Sequence, residues 1–205
     1  MNLPNKLTLG RIAATPLLVI CLLSETVWGQ YLALLLFIAA ALTDYWDGRL
    51  AREHNLVTNF GKIMDPLADK LLMATMFICF VELGYAPAWM VILIIGREFA
   101  ITGLRVLAAA EGRDISASRS GKHKTISQIV AVLIILVVNV IVSSLRAWAP
   151  PWEYALMSLG WLGQVMLYLA YYLPYAGMFV AAVLSLYSGL DYLLKNRELF
   201  QDPPA

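Results

Sequence analysis

Apolar runs about as long as a bilayer is thick alternate with short polar breaks along the whole chain. A helix crossing hydrocarbon needs about 20 apolar residues. Six stretches meet that need: 7–24, 30–51, 66–84, 87–110, 125–145 and 174–195. The breaks between them are polar or rich in Gly and Pro, as in SETVWGQ, REHNLVTNFG, ELGYAPA, EGRDISASRSGKHK and RAWAPPWE. The pattern predicts an all-α integral membrane protein of six transmembrane helices with a short amphipathic N-terminal element. Residues 152–173 are dense in Trp and Tyr, which favour the headgroup level. A seventh span there would move Lys195 and Arg197 to the outside, against the positive-inside bias, so residues 152–173 read instead as an outer interfacial helix or a re-entrant hairpin. No internal repeat is evident, so residues 1–205 read as one membrane domain.

Composition supports the pattern. Of 205 residues, 60% are hydrophobic and 14% charged, whereas a soluble domain carries about 25% charged residues. Cys21 and Cys79 both fall in apolar runs, without disulfide or metal spacing. Lys6 and Arg11 ahead of IAATPLLVICLL resemble a signal peptide, but no small-x-small cleavage site follows, so a retained first helix is expected.

Charge distribution adds orientation. With six spans both termini share a side. That side collects Lys6, Arg11, Arg49, Arg52, Lys62, Lys70, Arg105, Arg113, Arg119, Lys122, Lys124, Lys195 and Arg197, while the other has Arg146 alone. The positive-inside rule then puts both termini in the cytoplasm. Arg97 is left inside a span.

Against this apolar background the stretch DYWDGRLAREHNLVTNFGKIMDPLAD carries four aspartates, Asp44, Asp47, Asp65 and Asp69. Asp44 and Asp47 close the second span, three residues apart. Asp65 and Asp69 open the third, four apart, so each pair shares a helix face. Unpaired, four carboxylates at a membrane boundary would repel one another, so cations must neutralise them or their pKa values must rise. Oxygen-only ligands suit Mg²⁺, Mn²⁺ or Ca²⁺. Four of them can hold two ions about 3.5–4 Å apart, the clamp used in displacement at phosphorus. The plain alternative is a solvated acidic loop paired with Arg49, Arg52, Lys62 and Lys70.

The spacing Asp44-x2-Asp47-Gly48-x2-Ala51-Arg52-x8-Gly61-x3-Asp65-x3-Asp69 resembles, at all eight fixed positions, the signature of the CDP-alcohol phosphotransferase family. Asn5-x-Leu7-Thr8-x2-Arg11 is similar to that family's N-terminal element. Ile95-Gly96-Arg97-Glu98 with Arg105, and Gly121-Lys122-His123-Lys124-Thr125, resemble its bacterial phosphatidylglycerophosphate synthase branch. The resemblance implies transfer of a phosphatidyl group from CDP-diacylglycerol to sn-glycerol 3-phosphate, with release of CMP. It implies two divalent cations, Mg²⁺ or Mn²⁺, on Asp44, Asp47, Asp65 and Asp69, with Asp69 also the proton acceptor. Asn5, Thr8, Gly48, Arg52 and Thr58 would bind CDP-diacylglycerol. It further implies a homodimer in a bacterial cytoplasmic (inner) membrane with the site facing the cytoplasm, and no nucleic-acid partner.

An acceptor that carries its own phosphate needs a second cationic pocket. Arg97 and Arg105 are eight apart, close to two helical turns, and share a face. Lys122 and Lys124 enter the fifth span. These four residues are the expected glycerol 3-phosphate site, although positive-inside anchoring also accounts for the lysines. His54 and His123 have no nucleophile partner and are assigned no chemistry. An inositol phosphate acceptor suits the same cations. A divalent-cation transporter would instead place aspartates near the midplane with an exit path.

Overall fold

The computed structural model describes residues 3–53, 59–110, 119–148 and 151–197. They form seven helices: α1 (Leu3–Leu23), α2 (Val27–Glu53), α3 (Asn59–Glu82), α4 (Ala88–Ala110), α5 (Arg119–Trp148), α6 (Trp152–Met157) and α7 (Trp161–Lys195). No strand occurs among the described residues.

Local chemistry sets the turns. Thr26 caps α2, its hydroxyl accepting the Gly29 N–H at 3.1 Å. At the end of α3, Gly84 takes a left-handed φ of 76°. Its N–H donates to the Val81 carbonyl and the Tyr85 N–H to the Phe80 carbonyl, a Schellman closure that only a residue tolerant of positive φ makes cheaply. Gly163 lets α6 and α7 touch: a Cβ there would lie 1.6 Å from the Leu156 carbonyl oxygen.

α1 packs on α2 and α3, α5 on α2 and α7, and α4 on α7. Their shared interior is filled by Leu18, Leu22, Phe37, Met76, Phe80, Met90, Ile135 and Met178. At the end away from the aspartates a buried polar chain crosses this interior. Tyr85 donates to Asn139 at 2.7 Å, Asn139 to Gln30 at 2.8 Å, and Gln30 to the Leu22 carbonyl at 2.9 Å. Burial pushes the Tyr85 hydroxyl above its ordinary pKa, against the opposing pull of Arg146, and keeps it a donor. Each link satisfies a polar group that would otherwise be stranded among apolar side chains.

The outer surface is apolar. Leu17, Ile20, Leu35, Ile78, Ile92, Phe99, Val106, Ile126 and Val180 all project outward, the surface of a protein solvated by lipid. Helices α1, α2, α5 and α7 are long and apolar enough to cross a membrane, judged by length and composition. α3 and α4 have 24 and 23 residues, enough length to span. They also carry Asp65, Asp69 and Lys70, and Arg97, Glu98 and Arg105, the charges on which the site depends.

Two sequence expectations are corrected. The N-terminal element is not separate: Asn5, Thr8 and Arg11 lie on α1, which runs unbroken into the first span. Nor do residues 152–173 form a unit of their own. α6 is a six-residue helix, and α7 continues for 35 residues straight through Pro174. Proline is tolerated in an apolar helix where neighbouring helices support the freed backbone group, and Pro174 is buried. At about 1.5 Å per residue α7 is about 52 Å long, more than a hydrocarbon core requires. Tyr168, Tyr171 and Tyr172 thus lie on the same continuous helix as residues 174–195.

Candidate active site

α1 holds two of the four aspartates from one face. Arg11 Nη1 lies 2.5 Å from Asp44 Oδ1 on α2. One turn earlier, the Thr8 hydroxyl donates to Asp65 Oδ1 on α3. Thr8 is fully buried, and the Arg11 side chain is 1% exposed. Asn5, one further turn back, is buried on the same helix. A cation and a hydroxyl so placed orient each carboxylate, as the outer partners of metal-ligating groups do.

Asp47, Gly48 and Arg52 lie on the last turns of α2, and their side chains are outside the described residues, as is the whole of Thr58. Asp69, one turn after Asp65, is exposed and lines a cavity with residues of α4 and α5. Among the described residues, no three His, Cys, Asp or Glu side chains gather closely enough to hold one ion. The donor chemistry nevertheless fits a hard divalent cation: Asp44, Asp65 and Asp69 offer carboxylate oxygens, and Arg11 and Thr8 hold the first two in place.

The cavity on which Asp69 opens has a volume of about 560 Å³ and lies between α3, α4 and α5. Arg97, Arg105, Lys122 and Lys124 all line it, with Glu98, Thr102 and Thr125. The four cations expected to hold an acceptor phosphate thus share one cavity with the expected base. Lys124 is ion-paired and hydrogen-bonded to Glu98, and Gln128 reaches the same carboxylate oxygen at 3.5 Å. Arg97 Nη1 is 3.6 Å from that oxygen, and its Nη2 donates to Ser188 on α7 at 2.8 Å. The Arg105 guanidinium sits over the Tyr192 ring, 5.6 Å from its centroid. Lys70 donates to Thr102. An apolar groove of about 200 Å³ shares Asp69, Glu98, Lys124 and Thr125 with the cavity, and continues along Leu67, Leu71, Phe77, Ile94 and Phe99. A polar head and a lipid chain can thus meet at Asp69. The cleft of about 900 Å³ formed by Tyr168, Tyr171, Tyr172 and Tyr175 lies far from the aspartates; its lining includes Glu153 but no basic side chain, so it does not suit a phosphate.

Sequence reasoning missed several of these partners. Arg11 is visible as a motif position but reads as a topological charge; its pairing with Asp44 needs the α1–α2 contact. Glu98 appears in the sequence only as a motif neighbour of Arg97, whereas its carboxylate reaches both Arg97 and Lys124. Ser188 and Tyr192 stand in an apolar helix with no charge to mark them.

The fold and the site define a helical membrane enzyme of the phosphatidyl-transferring class, and residues 1–173 match the family model for CDP-alcohol phosphatidyltransferases. The chain belongs to that family, whose members generally use divalent metals. Among curated proteins it is 50% identical, over 150 residues, to the CDP-diacylglycerol–glycerol-3-phosphate 3-phosphatidyltransferase of Bacillus subtilis, covering 67% of this chain and 78% of the relative. The protein of the same name from Escherichia coli K12 is 36% identical over 204 residues, covering 96% of this chain and 95% of the relative. That of Rickettsia bellii is 39% identical over 135 residues, covering 66% and 75%.

Proposed function

We propose that the protein transfers the phosphatidyl group of CDP-diacylglycerol to sn-glycerol 3-phosphate, giving phosphatidylglycerophosphate and CMP. The observation that carries this reading is the cavity that Arg97, Arg105, Lys122 and Lys124 line together with Asp69. Four cations share the cavity with only two carboxylates, Glu98 and Asp69, so an acceptor that brings its own phosphate balances a surplus of positive charge that a neutral acceptor would leave.

In this reading the acceptor's phosphate lies among the four cations, with Glu98 offsetting the charge of Lys124 when no acceptor is present. The acceptor's C1 hydroxyl then faces Asp69. Asp69 takes its proton as the oxygen attacks the β-phosphorus, and the bond from that phosphorus to the CMP oxygen breaks. Asn5, Thr8, Gly48, Arg52 and Thr58 hold the CDP end of the donor, with Arg52 suited to grip a phosphate through two N–H groups. The diacylglycerol end runs into lipid along the apolar groove beside Asp69. Asp44, Asp47, Asp65 and Asp69 would hold two divalent cations, Mg²⁺ or Mn²⁺, in places that Arg11 and Thr8 help to fix. When bound, such ions neutralise the donor pyrophosphate and the charge that grows on departing CMP.

The same reading treats residues 1–205 as one catalytic membrane domain, with α3 and α4 as the remaining two spans. It puts the protein in a bacterial cytoplasmic membrane as a homodimer, with termini and site facing the cytoplasm. The test is transfer of radiolabel from glycerol 3-phosphate into chloroform-soluble lipid by purified protein supplied with CDP-diacylglycerol. Label retained in a phosphatidylglycerophosphate band supports the reading; label confined to the aqueous phase contradicts it.

A further inference from the structure

α7 touches the cationic cavity from behind. Ser188 Oγ accepts from Arg97 Nη2 at 2.8 Å, and Ser188 is fully buried. The next residue is Gly189, where a Cβ would stand 2.9 Å from Arg97 Cγ and 3.6 Å from its Nε. The aliphatic stem of Arg97 therefore lies directly on the α7 backbone, where no other residue leaves room. One turn on, the buried ring of Tyr192 lies beneath the Arg105 guanidinium at 5.6 Å. A cation over an aromatic face is attracted to it, more strongly where water is excluded. Ser188, Gly189 and Tyr192 share one face of α7, at i, i+1 and i+4. That face seats both arginines of a cavity whose own lining comes from α3, α4 and α5.

We infer that the Ser188–Gly189–Tyr192 face of α7 is a positioning element for the acceptor phosphate, acting through Arg97 and Arg105 and touching no substrate itself. The inference rests on the reading of the cavity as the glycerol 3-phosphate site. The physical reason is preorganisation. A free arginine loses rotamer freedom when it grips an anion, and that loss is subtracted from affinity. Arg97 has already lost it. One terminal nitrogen is held by Ser188 and the stem by Gly189, which leaves Nη1 on the side of Glu98 and the cavity. The role predicts an effect on acceptor binding and not on the donor, whose expected contacts are Asn5, Thr8, Gly48, Arg52 and Thr58.

The experiment measures KM for both substrates and kcat on full-length protein in micelles containing CDP-diacylglycerol. Ser188→Ala should raise the glycerol 3-phosphate KM about 5- to 20-fold, with donor KM and kcat within about twofold of wild type. Ser188→Thr keeps the hydroxyl and should return the acceptor KM to within about threefold. Gly189→Ala, which drives a methyl into the Arg97 stem, should raise it as Ser188→Ala does, and gives an independent reading if Ser188→Ala folds poorly. In an Arg97→Gln background, Ser188→Ala should add less than about twofold, because the residue through which it acts is gone. A wild-type acceptor KM in both Ser188→Ala and Gly189→Ala overturns the inference, as does a Ser188→Ala penalty that persists in full without Arg97. If Arg97→Gln itself leaves the acceptor KM unchanged, the reading of the cavity fails, and the α7 role with it. If Arg97→Gln raises that KM while the α7 variants do not, only the α7 role fails.

Discussion

Arg11 on α1 and Asp44 on α2 meet with Nη1 2.5 Å from Oδ1, although 33 residues separate them. The contact ties the first helix to the aspartate signature and gives Asp44 one orientation. Replacing Arg11 by Gln removes the charge and keeps much of the stem. A charge-assisted bond contributes about 1.5–3 kcal/mol, so the Mn²⁺ concentration for half-maximal activity should rise about tenfold or more. The rate lost should be partly recovered at high metal concentration. An unchanged metal titration would mean that Arg11 only anchors α1.

Removal of divalent cations is expected to stop turnover. The described donors are carboxylates held by Arg11 and Thr8, without a thiolate or imidazole among them. Excess EDTA should abolish CMP release, and Mg²⁺ or Mn²⁺ should restore it. Full turnover in EDTA contradicts the assignment of ions to Asp44, Asp47, Asp65 and Asp69.

Asp69→Asn keeps the size of the side chain and removes its charge and basicity. Because Asp69 borders the cationic cavity and is exposed to it, the fold should survive. Turnover should fall at least about 10²-fold, the low end for a positioned general base. Activity within threefold of wild type, with normal extraction in detergent, removes Asp69 from the mechanism.

How far the sequence alone reaches differs between the parts of the molecule. The aspartate spacing is readable because its chemistry requires carboxylates at fixed helical intervals, and Arg97 is readable because a cation in an apolar span demands a reason. Pro174 misleads: beside a run of tyrosines it looks like a boundary, whereas tertiary support from neighbouring helices carries α7 through it. Ser188 and Tyr192 are silent, since in an apolar helix a serine and a tyrosine are ordinary until the helix that faces them is known. Arg11 belongs to a motif, but its partner becomes visible only when α1 packs across α2 and α3.

Orientation can be tested by cysteine labelling, with a low background because Cys21 and Cys79 are both buried. Cysteines at Thr58 and Ser118 should react with an impermeant reagent from the cytoplasmic side, and at Glu25 and Ala149 from the outer side. A cysteine at Gln201 should label from the cytoplasm if α7 crosses once. Labelling of Gln201 from outside would reverse α7 and break the six-span reading.

Acceptor choice tests the account most directly. Purified wild-type protein with CDP-diacylglycerol should release CMP rapidly with glycerol 3-phosphate, very poorly with glycerol or serine, and less rapidly with an inositol phosphate than with glycerol 3-phosphate. Arg97→Gln should lose about 10- to 150-fold in kcat/KM for glycerol 3-phosphate, the worth of one charge-assisted contact, with donor KM little changed. The preference for glycerol 3-phosphate over glycerol should narrow with it. An inositol phosphate that outcompetes glycerol 3-phosphate, or an Arg97→Gln enzyme with its acceptor KM intact and its donor binding weakened, would contradict the account.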